Sequence, residues 1–303
     1  MNTIGNQVNS TYSWTVTTDP GITGGQAGSG NIISDIFENQ TGTPGNVIYE
    51  VIAESMAGCE GHPVNIIVTV NPEPTGEPGD TAICFGTPID FHLQSNITNG
   101  VTSIFEWQAA DHPDVGGITT FPSFVTSGSI IDVPLNVNVS DSTVVIYTVW
   151  PESNAGCPGD PFIVKVIVEN TPTATDTMFE VCSGVPLNID LQNHLSNGVL
   201  SNFSWTANSD TCVDGAIEGS GNTIANTLEN FCAAAESAVY TIIPTSQLAS
   251  CEGNSFTIEA IVVPEPVGVA ATDTVCSGEA IVIALDDSAG IFGETYSWVN
   301  DYD

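Results

Sequence analysis

The sequence predicts an all-β fold: tandem immunoglobulin-like antiparallel β-sandwich domains stacked end to end. Three observations predict it. Tryptophans recur at Trp14, Trp107, Trp205 and Trp298, at intervals of 93, 98 and 93 residues, and Tyr49, Tyr147 and Tyr240 keep step with them. Apolar and polar residues alternate with a period of two over short runs, the mark of a strand with one buried face. Turn signals separate these runs about every 8 to 12 residues, and no 3.6-residue periodicity intervenes. A repeat of roughly 95 residues has small-domain length. The 303 residues therefore hold about three units, each with its own modest core.

The elements of a unit come in fixed order. Ile89/Phe91/Leu93, Leu187/Ile189/Leu191 and Ile281/Ile283/Leu285 lie 5, 7 and 9 positions after Cys84, Cys182 and Cys276, and are expected to form a strand with one buried face. An aromatic strand follows: Tyr12-Ser13-Trp14, Phe105-Glu106-Trp107, Phe203-Ser204-Trp205 and Tyr296-Ser297-Trp298. Then comes a glycine-rich hairpin, Gly28-Ser29-Gly30-Asn31 and Gly219-Ser220-Gly221-Asn222, with a looser Ser127-Gly128-Ser129 in the middle unit. The tyrosine strands follow. Each unit closes on a run whose inward residues are Val64/Ile66/Val68/Val70, Phe162/Val164/Val166/Val168 or Phe256/Ile258/Ala260/Val262.

Proline linkers at Pro72-Glu73-Pro74, Thr171-Pro172 and Pro264-Glu265-Pro266 set the boundaries and favour an extended chain. The domains expected are a partial sandwich over 1–72, complete ones over 73–171 and 172–265, and a partial one over 266–303. Two readings of the open ends are carried forward. The chain is a window from a longer array, or its ends complete each other head to tail in a polymer.

Composition narrows function. Thirty-six Asp and Glu face a single Lys165 and no Arg. Such a surface repels phosphate backbones and anionic lipid, which argues against nucleic-acid partners and membrane binding. Charged residues are nonetheless only 12% of the chain, so it has the makings of a folded protein. No apolar run approaches a membrane span.

The ordered set Val-Cys-Ser-Gly (Val181–Gly184, Val275–Gly278), Tyr/Phe-Ser-Trp, Gly-Ser-Gly-Asn, Val-x-Tyr-Thr, Gly-Cys-x-Gly and Val-x-Pro-x-Pro resembles the PKD-like repeats of Bacteroidetes. These fill very large cell-surface proteins described as adhesins or gliding-motility-associated proteins. The resemblance implies a β-sandwich repeat, export by the type IX system, an extracellular place on the bacterial cell surface, and a stalk or adhesive role. The middle unit departs most from the pattern, with His112-Pro113 and a longer loop before Ser127.

The eight cysteines point to an oxidising compartment. Cys212 and Cys232 flank the hairpin of the third unit and most simply pair with each other. The other six, Cys59, Cys84, Cys157, Cys182, Cys251 and Cys276, form three couples 25 residues apart and admit three schemes. Local pairing makes the chain double back over a strand. Pairing within a domain spans roughly 20–30 Å between opposite ends, whereas bridged Cα atoms lie within about 7 Å. The third scheme joins the lower end of one domain to the upper loop of the next, as in Cys84 to Cys251. All three stay open on sequence, and the third fits end-to-end stacking best.

Carboxylates near the junctions, Glu73, Glu77, Asp80, Glu169, Asp176, Glu265 and Asp273, are candidate calcium ligands. Calcium takes six to eight oxygens and no EF-hand-like run exists, so solvated surface acids are the ordinary reading. Thr81, Ser142, Thr177, Thr274 and Ser288 sit in Asp-Ser/Thr tripeptides that resemble the O-glycosylation motif of Bacteroidetes. His62, His92, His112 and His194 do not align between units, and no catalytic motif is present.

A non-enzymatic stalk of an adhesin or surface filament is the expected function, with no required cofactor. Its partners would be neighbouring repeats or identical subunits of a filament. The rival is a module that binds surface glycans, for which Trp150, at the end of the middle tyrosine strand, is the candidate platform.

Overall fold

Each repeat is built on one long antiparallel pair, a tryptophan strand laid against a tyrosine strand. The computed structural model describes residues 8–121, 123, 125–136, 138–266, 268, 270, 272–283, 285 and 297. Tyr296, Trp298 and the candidate glycan carrier Ser288 lie outside the described residues. The described chain is all-β, with strands and two four-residue 3₁₀ turns. It forms two units. One comprises the chain up to Ala82 with Gly86–Val137 and Val144–Ile167; the other comprises Ile83–Phe85, Asn138–Thr143 and the chain from Val168 onward.

The first unit holds the first repeat and most of the second. Ser10–Thr18 pairs with Gly45–Ser55, with Trp14 opposite Val51 and Val16 opposite Tyr49. Gly28–Ser29 flanks that pair on one side and Val64–Val70 on the other. In the second repeat Ser103–Ala109 pairs with Ser142–Ser153, with Trp107 opposite Val149 and Ala109 opposite Tyr147. Phe162–Glu169 and then Gly79–Cys84 complete that sheet.

The second unit holds the third repeat. Ser201–Ser209 pairs with Glu236–Ser246, with Trp205 opposite Ile242 and Ala207 opposite Tyr240. The tryptophan and tyrosine registers are thus the same three times. Phe256–Val263 alternates buried and half-buried residues without a break, as a strand with one core face must. Its inward Phe256, Ile258, Ala260 and Val262 pack with Ile189, Leu191, Phe203, Ile224 and Tyr240. Full burial of each large apolar side chain contributes about 1.5–3 kcal/mol.

Two features depart from the expected plan. The first strand of the third repeat, Thr177–Cys182, pairs in parallel with the last, Phe256–Val263. The sheet is therefore not purely antiparallel, because both strands run from the same end of the repeat. The run Ile89/Phe91/Leu93 also does not form one strand, and neither does Leu187/Ile189/Leu191. Asp90 and Asn188 adopt φ of 48° and 50°, a left-handed conformation that short Asn and Asp side chains tolerate. Each run continues as a two-residue bridge and a 3₁₀ turn, Leu93–Asn96 or Leu191–His194. A four-residue turn is too short to carry a helical period. Leu93 and Leu191 are buried all the same.

Among the described residues the core of the first repeat consists of Ile22, Val47, Tyr49 and Val51. Val64, expected inward, is 47% exposed, because no described segment covers that part of the sheet.

Small substitutions tune the equivalent sites. Gly28 and Gly219 sit opposite Trp14 and Trp205, and a Cβ on either would meet the indole at 2.9 or 2.7 Å. The two indoles donate to the carbonyls of Gln26 (3.1 Å) and Ile217 (3.0 Å). In the middle repeat Val125 takes the glycine's place opposite Trp107. Trp107 is then fully buried and its Nε1 lacks an acceptor.

The tyrosines vary in the same way. Tyr49 donates to Asp35 and Tyr147 donates to Asp132 at 3.0 Å, whereas the buried Tyr240 hydroxyl has no partner. Asn226 occupies the position of those aspartates. Burial, reinforced by Asp35, pushes the Tyr49 hydroxyl up to about 12, and burial alone does the same for Tyr240. Burial and then the Asp132 charge also push Tyr147 above its ordinary value. The Tyr49 hydroxyl, helped by the Gln26 N–H, holds the Asp35 carboxyl below its ordinary value.

Opposite outcomes are expected at equivalent tyrosines. Tyr240→Phe removes an unsatisfied hydroxyl and is neutral or stabilising by up to about 1 kcal/mol, while Tyr147→Phe removes one hydrogen bond to the Asp132 carboxylate, which keeps those from the Thr119 N–H and hydroxyl, and costs about 1–3 kcal/mol. Tyr240 stays protonated when folded but ionises near pH 10 when unfolded. Its contribution is full below pH 10 and is lost as pH rises toward about 12. Urea unfolding at pH 7 and pH 11 checks both statements: Tyr240→Phe lessens the alkaline loss and Tyr147→Phe lowers the midpoint at pH 7.

Candidate functional site

The cysteines define the site. In the second unit Cys84, at the end of Gly79–Cys84, is bonded to Cys251, with Cα atoms 5.6 Å apart at a sequence separation of 167. Of the three schemes, this is the one joining the end of a first strand in one repeat to a loop of the following repeat. Cys212 is bonded to Cys232 across the small ladder of Val213–Asp214 with Glu229–Asn230.

Four cysteines are left without a partner within the described chain, as the third scheme leaves them. Cys59, Cys157, Cys182 and Cys276 are thiols, three exposed and Cys157 partly so. The reason is arithmetic. A strand-end cysteine needs the loop cysteine of the following repeat, and the described chain brings the two together only once.

The loop half of the site is built the same way in every repeat. Ser246 accepts the Cys251 N–H through Oγ at 2.8 Å and donates its own N–H to the Cys251 carbonyl at 2.9 Å. Ser153 does this for Cys157, at 3.1 and 2.9 Å, and Ser55 does it for Cys59, at 3.1 and 2.9 Å. The residue before each cysteine is left-handed: Gly58 (φ 81°), Gly156 (φ 79°) and Ser250 (φ 56°). The strand half repeats as well. Phe85 donates to the Glu169 carbonyl at 3.0 Å, as Ser183 does to the Val263 carbonyl at 2.8 Å.

Glu169 is where the junction is tied without a covalent bond. It is 1% exposed, and its Oε2 accepts the Ala249 N–H at 2.8 Å. The third-repeat loop is one residue longer between serine and cysteine than the other two, and Ala249 lies in that longer turn. Beside it, Asn170 donates to the Val139 carbonyl at 2.6 Å and, through its backbone, to the Asp141 carbonyl at 2.8 Å. Glu169 is thus a buried acceptor in this structure, not a solvent-facing ligand.

The remaining candidate residues are dispersed. Glu73, Glu77, Asp80, Glu265 and Asp273 are exposed, and Asp176 accepts the Thr257 N–H at 2.7 Å. Among the described residues no three acidic, histidine or cysteine side chains converge as a metal site would require. Thr274 is exposed, Thr81 and Ser142 lie half-buried on strands, and the Thr177 hydroxyl is buried without a partner. Lys165 faces outward. Trp150 is half-buried opposite Glu106. No described helix is long and apolar enough to cross a membrane.

Sequence reasoning missed the tyrosine–aspartate bonds and the role of Glu169. The first had a signal, an Asp 14 or 15 residues before the tyrosine in two repeats out of three. The second had none, since Glu169 aligns with Asn71 and Val263.

The sequence pattern of the PKD-like domain matches residues 1–74, 81–172 and 179–266. No curated protein matches the chain. Among solved structures, the chain is similar to the chicken CNTN1 FN1–FN3 domains at 13% identity, covering 84% of this chain and 90% of that one, with a TM-score of 0.34. It is similar to the three N-terminal domains of the bacteriophage RB49 highly immunogenic outer capsid protein at 10% identity, covering 85% and 89%, with a TM-score of 0.37. For the human mucin-like protocadherin EC1–2 the identity is 12%, the coverage 63% and 98%, and the TM-score 0.29.

Removing the acceptor at position 169 should loosen the Ala249 turn. Glu169→Ala leaves a buried N–H unpaired, at a cost of about 1–3 kcal/mol, and Glu169→Gln, which keeps an acceptor, costs less. Amide exchange at Ala249, measured with the Cys84–Cys251 bond intact, is expected to speed up markedly in the first variant and slightly in the second.

Proposed function

The chain belongs to the PKD-like domain family, and from that premise we propose that it is a tension-bearing segment of an extracellular stalk. The single observation that carries this reading is the Cys84–Cys251 bond, because of what it does to the path of a pull along the chain. Tension entering from the N-terminal side follows Gly79–Cys84 and crosses the disulfide. It leaves through Cys251 and Phe256–Val263. Residues 85–250, nearly all of two repeats, are bypassed.

A segment that tethers one surface to another needs this property, whereas a binding module or an enzyme gains nothing from it. The sequence resemblance supports the finer reading, a stalk of a bacterial cell-surface adhesin used in attachment or gliding and exported by the type IX system. The acidic surface supports an extracellular place, where salt screens its self-repulsion. The chain itself is non-catalytic in this reading, and contact with a target falls to other parts of the assembly.

Single-molecule stretching tests the proposal. The intact chain should show no extension from residues 85–250 at any force below disulfide rupture. With reductant, or in Cys84→Ser, roughly 550–600 Å of additional contour length should appear, from about 3.3–3.6 Å per residue over the 167-residue separation. Equal contour lengths with and without reductant would overturn the reading.

A further inference from the structure

Glu73-Pro74-Thr75 leads the chain into the second repeat, and Thr171-Pro172-Thr173 leads it into the third. Each linker is gripped by one asparagine side chain. Asn99 accepts the Thr75 N–H through Oδ1 at 3.2 Å and donates through Nδ2 to the Glu73 carbonyl at 2.7 Å. Asn197 does the same for Thr173 and Thr171, at 3.2 and 2.9 Å. The residue before each asparagine extends the grip. Thr98 donates its N–H and its hydroxyl to the Thr75 carbonyl at 2.9 and 3.1 Å, as Ser196 does to the Thr173 carbonyl at 2.7 and 3.0 Å.

The far side of each linker has no slack. A Cβ on Gly159 would meet the Pro74 carbonyl oxygen at 2.1 Å, and one on Gly253 would meet that of Pro172 at 2.2 Å. The backbone of Asn99 is walled in as well, since a Cβ on Gly42 of the first repeat would meet its carbonyl oxygen at 2.1 Å. Each linker is thus pinned between an asparagine loop and a glycine. The residue after each clamp is also glycine: Asn99-Gly100 and Asn197-Gly198 are the two Asn-Gly pairs of the sequence. Gly100 and Gly198 both adopt φ of 74°, which glycine reaches without strain. The choice has a chemical consequence. With no Cβ to shield it, a glycine nitrogen is well placed to attack the side-chain amide that precedes it. Both asparagines are partly exposed, so water reaches them.

We propose that Asn99 and Asn197 are deamidation sites, and that reaction at either one permanently opens the clamp on its linker. The Gly100 nitrogen bonds to Asn99 Cγ and the Cγ–Nδ2 bond breaks. Nδ2 takes up the proton that the Gly100 nitrogen loses and leaves as ammonia. Water then adds to either carbonyl of the cyclic imide and opens it, giving aspartate or isoaspartate. One water is consumed and one ammonia released, with no oxidant or reductant involved. Asn197 and Gly198 react in the same way.

The clamp governs when this happens. While it is closed, both heteroatoms of the side-chain amide are committed to the linker, and Cγ is not free to turn onto the glycine nitrogen. Reaction therefore runs through the open form. Loops open and close far faster than this chemistry proceeds, so the rate follows the population of the open form. Afterwards the clamp does not re-form. An aspartate has no donor for the Glu73 or Thr171 carbonyl and sets two acceptors face to face, leaving both without a proton between them. Isoaspartate adds a methylene to the main chain, at a point where the Asn99 carbonyl already abuts Gly42. The asparagine is a one-way latch, and its release accumulates with the time the linker spends open.

The inference goes beyond the stalk reading and is tested separately from it. The full chain, disulfides intact, is incubated in mildly alkaline buffer, once folded and once in urea, and peptide mass spectrometry follows conversion of asparagine to acid. In the folded chain Asn99 and Asn197 are expected to convert ahead of every other asparagine, yet roughly tenfold or more slowly than in urea. Thr98→Val removes one bond of the grip without touching the reacting pair. It should speed conversion at Asn99 by roughly two- to tenfold, the factor that one net hydrogen bond sets on opening, and leave Asn197 at the parent's rate. Ser196→Ala should do the reverse, so each site is the other's control for folding. In Asn99→Asp, amide exchange at Thr98 and at Glu77, whose N–H donates to the Asn96 carbonyl at 2.9 Å, should be faster than in the parent. Four results would each overturn the proposal: no conversion at either site in the folded chain, equal rates folded and in urea, a Thr98→Val chain that converts at Asn99 like the parent, or unchanged exchange in Asn99→Asp. None of them alters the stretching behaviour set by Cys84–Cys251.

Discussion

The register between the tryptophan strand and the tyrosine strand is the constraint on which the rest depends. Trp14, Trp107 and Trp205 face Val51, Val149 and Ile242, and Tyr49, Tyr147 and Tyr240 face Val16, Ala109 and Ala207. A slip of one residue would turn every core side chain of the pair toward water. With the register held, the position of every later element follows. The closing strand docks on the tyrosine strand and the first strand docks on the closing strand. The strand-end cysteine and the loop cysteine are thereby carried to opposite ends of the same repeat. A bond within one repeat is then out of reach, and a bond to the next repeat is not.

Seen this way, Glu169 and the Cys84–Cys251 bond answer the same difficulty. The chain carries 36 acidic residues and one lysine, so no surplus of cations is at hand to tie one repeat to another by ion pairs. At physiological salt the Debye length is about 8 Å, which mutes repulsion between distant carboxylates but not between adjoining surfaces. The junction instead uses a covalent bond and a carboxylate turned inward onto a backbone N–H. In the chain-entropy description, a cross-link spanning 167 residues removes about 5 kcal/mol of unfolded-state freedom. Ion pairs on so acidic a surface would add little by comparison, since exposed pairs contribute about 0–1 kcal/mol each.

What was legible in the sequence is what period and spacing encode. The repeat length and the strands flanking tryptophan and tyrosine could both be read from alternation and alignment. The break at Asp90 and Asn188 could not, because a left-handed residue leaves the apolar alternation intact while changing the backbone beneath it. The parallel pairing of Thr177–Cys182 was equally hidden, since alternation reports which face is buried and says nothing of strand direction. Of the site, the six repeating cysteines were visible but their use was not. Pairing is a property of three-dimensional proximity, and the sequence alone left three schemes standing. Glu169 was read as one of seven surface acids; what separates it from Glu73 or Asp80 is the turn around Ala249, eighty residues away.

The direction of that first strand matters for how a repeat meets force. Thr177–Cys182 and Phe256–Val263 run in parallel over six paired positions, from Thr177 opposite Ile258 to Cys182 opposite Val263. The chain enters the repeat at the start of one strand and leaves it at the end of the other. A pull on the two ends therefore slides the strands past each other and strains all the bonds between them together. An antiparallel first strand would present its bonds one at a time and open like a zipper. Shear across the edge pair resists opening where no staple is closed. A closed staple lifts the strain from the enclosed pairs, because the load crosses at the cysteines before it reaches them. Both defences use the same two strand ends, and this explains why the cysteine sits on the last residue of the first strand rather than deeper in the repeat. Placed there, it preserves every shear-bearing bond and still reaches the loop of the repeat that follows.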